Sequence, residues 1–81
     1  MSLFDHEEQV SLAQKEKLSK SLIPPGKALY ELGEYEECIS TCNQAIEFDS
    51  FIIAPYYYKG LSFIALELFH EAIQVGRDAA M

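Results

Sequence analysis

The chain has 81 residues, 49% of them hydrophobic and 23% charged, with four glycines, three prolines and a net charge of −7. That size allows one small domain with a thin core, and the composition is that of a folded chain rather than a disordered one. Six basic residues against thirteen acidic ones exclude a clustered Lys/Arg surface, so nucleic acid and anionic membranes are not expected as partners.

The acid surplus is uneven: −1 over residues 1–20, −5 over 21–50 and −1 over 51–81. The longest apolar run, FIIAPYYY from Phe51, is eight residues long, far short of the roughly 18 that a membrane helix needs. The N-terminus lacks a basic stretch followed by an apolar one, which predicts no signal peptide. Two cysteines without such a signal fit a reducing compartment. The expectation is a cytoplasmic protein, the nucleus being the other compartment this reading allows.

In chain order, residues 3–22 are rich in Glu, Gln and Lys with scattered Leu, Phe and Val, which predicts a helix with little apolar surface. Pro24-Pro25 cannot continue it but can open another, because a first-turn amide has no intrahelical partner. That second helix is expected from about Pro24 to Leu32, ended by Gly33, which can take the left-handed conformation of a helix C-terminus. A third runs from Tyr35 to Phe48, its apolar Tyr35, Cys38, Ile39, Cys42, Ala45 and Ile46 forming one stripe. Asp49-Ser50 reads as a turn and N-cap for a fourth helix, Phe51 to Leu66, with Pro55 in its first turn. A fifth runs from Phe69 to the end. The expected fold class is all-α.

The sequence also matches itself when slid along its own length. One offset places Gly26 on Gly60, Leu29 on Phe63, Leu32 on Leu66, Tyr35 on Phe69, Cys38 on Ala72, Cys42 on Gly76 and Ala45 on Ala79. Small residues fall on small ones and large apolar residues on large apolar ones. Gly26 and Gly60 are read as sites where any side chain would push paired helices apart. Tyr35 and Phe69 should fill the space near each turn, while Ala45 and Ala79 admit the next helix. A helix–turn–helix of this pattern, recurring every ~34 residues, resembles the tetratricopeptide repeat. The residues carrying the likeness are Gly26, Leu32, Gly33, Tyr35, Cys38, Ala45 and Asp49, then Tyr56, Gly60, Phe63, Phe69, Ala72 and Ala79.

The resemblance implies a right-handed superhelix of antiparallel hairpins: an N-terminal helix over 1–23, one repeat over 24–50 and a second over 51–81. Two departures carry expectations. Pro24-Pro25 should shorten or kink the first repeat's first helix. Glu67, standing where the first repeat has Gly33, should make the second turn tighter or differently shaped.

Within that resemblance, first helices line a concave groove for a protein or peptide partner. The matching positions are Lys27, Tyr30 and Glu31, then Ala54, Tyr57, Tyr58, Leu61, Ile64 and Ala65. The family's clamp for a C-terminal carboxylate uses polar donors, but Tyr58, Leu61 and Ala65 stand at such positions. An apolar segment is therefore the expected ligand. The groove could equally be filled by the N-terminal helix through Phe4, Val10 and Leu12.

Candidate chemistry is sparse. Zinc takes four ligands, and beside Cys38 and Cys42 only His6 and His70 are present. Both cysteines read as packing residues. His70 beside Glu71 has no nucleophile or glycine-rich loop converging on it. Glu34, Glu36 and Glu37 suit a helix start. No metal, cofactor, small-molecule substrate or enzymatic activity is expected. Two functions stand side by side: an adaptor or scaffold holding a partner segment, and a homodimer formed by exchanging the N-terminal helix across the proline pair.

Overall fold

The computed structural model describes residues 11–80. Five helices account for most of them: α1 (Leu12–Ser21), α2 (Ile23–Glu31), α3 (Tyr35–Phe48), α4 (Ala54–Ala65) and α5 (Phe69–Ala80). No strand occurs among the described residues. The described residues are all-α, as their periodicity requires.

α1 begins later than the helix expected over 3–22, of which residues 3–10 lie outside the described ones. Ser11 is extended, and its hydroxyl accepts from the Gln14 amide while the Gln14 side chain accepts from the Ser11 amide. This reciprocal cap satisfies two amides that the first turn leaves unpaired, and so sets the start. The junction with α2 is one residue, Leu22, itself in the α region. Pro24 and Pro25 have no amide to continue the ladder, but the Gly26 amide donates to the Leu22 carbonyl at 3.0 Å and the helix resumes at once. The proline pair therefore separates α1 from α2 by Leu22 alone, and no loop intervenes.

The α2–α3 turn is built as expected. Gly33 has φ +79°, and the Gly33 and Glu34 amides donate to the Tyr30 and Leu29 carbonyls at 3.0 and 2.8 Å. The α4–α5 turn corrects the expectation of a different shape. Glu67 takes φ +62°, and the Glu67 and Leu68 amides donate to the Ile64 and Phe63 carbonyls at 2.9 and 2.8 Å. Each donor and acceptor is related to its counterpart by the offset that carries Gly26 onto Gly60. The carbonyls freed at the end of α4 need the same two amides, and that need holds Glu67 left-handed without glycine's help.

α4 also starts later than expected. Pro55 must sit in the first turn, so the helix opens at Ala54 with Ile53 as an uncapped N-cap. Asp49 does not cap it. Its carboxylate accepts from the Phe51 amide at 3.0 Å, closing a local turn that leaves Phe51 exposed.

α3 is the centre of the molecule. It packs on α1, α2 and α4, whereas α5 packs on α4 alone. Of the buried apolar residues Cys38, Cys42, Ala45, Tyr56 and Val75, three belong to α3. Ser19 fastens α1 to it: fully buried, its hydroxyl donates to the Ala45 carbonyl at 2.7 Å. The radius of gyration is 14.0 Å, against about 12 Å for a compact domain of this length. The layers extend in a row rather than closing on themselves.

Candidate functional site

The two cysteines settle into the interior of the first hairpin. Their sulfurs lie 4.0 Å apart, and Cys38 Sγ lies 3.9 Å from the Tyr58 carbonyl of α4. Both thiols are free. Burial, and after it the neighbouring Cys38, pushes the Cys42 thiol up from 9.0 to about 12, so no thiolate forms near neutrality and the sulfur is a poor nucleophile. Among the described residues no cluster of His, Cys, Asp and Glu could hold a metal. His70, Glu71, Glu34, Glu36 and Glu37 are exposed.

The tyrosines form the most organised feature of the surface. Tyr35 at the start of α3 lies 5.7 Å from Tyr30 of α2, centroid to centroid. Tyr30 lies 6.2 Å from Tyr58 of α4, and Tyr58 lies 5.2 Å from Tyr57, edge to face. Four rings from three helices thus make one row, at separations and tilts favoured by the aromatic quadrupole. Three of the four, Tyr30, Tyr57 and Tyr58, are expected groove residues. Tyr35, read as a packing residue, joins them. Lys27 and Glu31 on α2 are exposed.

Tyr56 leaves the run to face inward. It is buried, and its hydroxyl donates to the Ser50 carbonyl at 2.8 Å. Consecutive helical residues point about 100° apart, which is why the run splits this way.

Tyr57, Leu61 and Ile64 also line a cleft of about 290 Å³ between α4 and α5, with Ala72, Gly76 and Ala79 on its other wall. Ala54 and Ala65 do not line it. Ala72 and Ala79, expected as packing positions, are half-buried at this opening. Leu12 does not fill it, because α1 touches neither α4 nor α5. Phe4 and Val10 lie outside the described residues.

Two packing expectations need correction. Phe69 does not fill the space at its turn but is 56% exposed. Tyr35 has the Tyr30 ring beside it, whereas the residue that corresponds to Tyr30 in the second hairpin, Ile64, has no ring and is itself exposed. The glycines are also less tightly confined than their spacing suggests. A Cβ on Gly26 would lie 3.5 Å from Cys42 Sγ, and one on Gly60 would lie 3.7 Å from Val75 Cγ1. Both are ordinary contacts, so a methyl group fits and only larger side chains would force the helices apart.

The burial of Ser19 and Ser62 carries no signal in the sequence: Ser19 stands among polar residues, and Ser62, between Leu61 and Phe63, falls between apolar positions of its helix without a side chain that demands burial. No family model, curated protein or solved structure matches this chain. No helix among the described residues is long and apolar enough to cross a membrane.

Proposed function

We propose that this protein is a non-enzymatic protein-binding module of helical-repeat type, resembling the tetratricopeptide repeat, that holds a segment of a partner protein across α2 and α4. The observation that carries the reading is the row Tyr35–Tyr30–Tyr58–Tyr57. Rigid aromatic rings with a polar tip give large contact area at small entropic cost, which is why tyrosine is enriched in binding surfaces. The row needs three helices to be in place, so it exists only in the folded chain.

Two further features support a repeat protein. The hydrogen bonds of the α2–α3 turn recur in the α4–α5 turn at the offset of the sequence match, and the helices extend in a row. The acid surplus of residues 21–50 favours a partner segment with basic residues beside its apolar ones, through complementary potential.

The test is selection of a random peptide library on the immobilised chain, with Tyr30→Ser/Tyr58→Ser as counter-target. Peptides enriched on the parent and lost on the variant are the expected result. Equal enrichment on both, with the variant still helical, removes the tyrosine row from binding.

A further inference from the structure

The cleft between α4 and α5 is the counterpart, at the offset of the sequence match, of a place already filled within the chain. Cys38, Cys42 and Ala45 of α3 are buried; α4 lies over the first of them, its Tyr58 carbonyl 3.9 Å from Cys38 Sγ, and Ser19 of α1 covers the Ala45 carbonyl. Their equivalents on α5 are Ala72, Gly76 and Ala79, which line an open cleft. No helix among the described residues does for α5 what α4 does for α3. Around this cleft Ile53, Tyr57, Ile64 and Ile73 are 60%, 59%, 51% and 57% exposed, an apolar surface of the kind that marks an interface.

We infer that this face pairs with the same face of a second copy, making a two-fold dimer in which α4 of each chain lies over α5 of the other. Two properties select a second copy. The first is shape. The α4 wall carries large side chains at Tyr57, Leu61 and Ile64, and the α5 wall carries small ones at Ala72, Gly76 and Ala79. Both rows have the spacing of four and then three. A two-fold rotation lays the raised row of one copy along the low row of the other, as a self-complementary interface requires.

The second property is charge. Residues 21–50 carry −5, whereas 51–81 carry −1, with Lys59 and Arg77 against Glu67, Glu71 and Asp78. Like charges juxtaposed across an interface oppose association, and the second hairpin, which carries both signs and little net charge, sets up far less of that opposition between two copies than residues 21–50 would. The pairing uses one side of α4 for its own α3 and the other for its mate. Tyr57 belongs to both the tyrosine row and the cleft, whereas Tyr30, Tyr35 and Tyr58 lie outside the cleft lining; the binding test replaces Tyr30 and Tyr58 and the dimer test replaces Gly76 and Ile64, so the two readings can fail separately.

The experiment is sedimentation equilibrium of the full chain over a hundredfold dilution, with helicity followed by circular dichroism. The expected mass is twice the chain's 9.2 kDa, falling toward one chain on dilution. Gly76→Arg blocks the low row, and a Cβ there meets no atom within 4 Å, so the variant should keep its helices and sediment as a single chain. Ile64→Asp, at an exposed site, should do the same. A parent that sediments as one chain at every concentration overturns the inference. So does a double mass that survives in the helical variants, which would place the contact elsewhere, including an exchange of α1 about Leu22.

Discussion

Ser62 carries a hydroxyl that is fully buried and has no hydrogen-bond partner among the described residues. Such a group forfeits its bonds to water without replacement, at a cost of about 1–3 kcal/mol. Ser62→Ala should therefore stabilise the protein by about 1 kcal/mol, raising Tm by roughly 4–8 °C for a chain this size. A lower Tm in thermal denaturation would mean that the hydroxyl is satisfied after all. Cys42 gives a prediction of opposite sign with pH. Its thiol titrates at about 12 in the fold against an ordinary 9.0, so between those values the unfolded chain has lost a proton that the folded one keeps. Stability then falls as pH rises through that window. Tyr56, also raised, first by burial and then by Asp78 and Asp49, adds to the decline. Thermal melts from pH 9 toward 12 should show Tm dropping less in Cys42→Ala than in the parent. Parallel declines would clear the thiol of any part in it.

The two turns invite comparison at the scale of elements. They share their hydrogen bonds but not the residue in the left-handed position: Gly33 in one, Glu67 in the other. A side chain in that region costs roughly 1–2 kcal/mol. Glu67→Gly should raise Tm, and Gly33→Ala should lower it, each by an amount corresponding to about 1 kcal/mol. If the two substitutions moved Tm in the same direction, the turns would not be equivalent. The α1–α2 joint has the reverse character. Its prolines remove donors without adding a loop, and Ser19 rather than the joint decides where α1 lies, through its bond to the Ala45 carbonyl.

Across the whole molecule, stability should be graded from the centre outward. α3 packs on three helices, while α5 packs on one and buries only Val75. Regions with few buried contacts open locally at lower free energy. Amides of α3 around Cys38 and Cys42 should be the slowest to exchange hydrogen, and those of α5 should be among the first. In a dimeric parent α5 gains protection that Gly76→Arg removes, so exchange on both proteins reads the gradient and the interface together. Uniform protection along the chain would contradict the layered packing.

Helix number, helix order, the stop at Gly33 and the place of Pro55 in a first turn were legible in the residues because they rest on interactions within a few positions of chain: amide ladders, proline's missing donor, glycine's freedom of φ. The self-match of the two hairpins was legible for a similar reason, since size classes repeat wherever the same local unit recurs. Start points were less so. Ser11 and Gln14 spell out their reciprocal cap, but the chain reads as helix on both sides of it. The left-handed Glu67, the burial of Ser19, the exposure of Phe69 and the joining of Tyr30, Tyr35, Tyr57 and Tyr58 into one row were decided by the tertiary structure alone. Each depends on what another helix places opposite: carbonyls that need amides, a backbone oxygen within reach of a hydroxyl, or a ring to rest on. The sequence by itself determined a chain of paired helices with an uneven acid surplus. Only packing between helices decided which apolar side chains it would hide and which it would leave exposed.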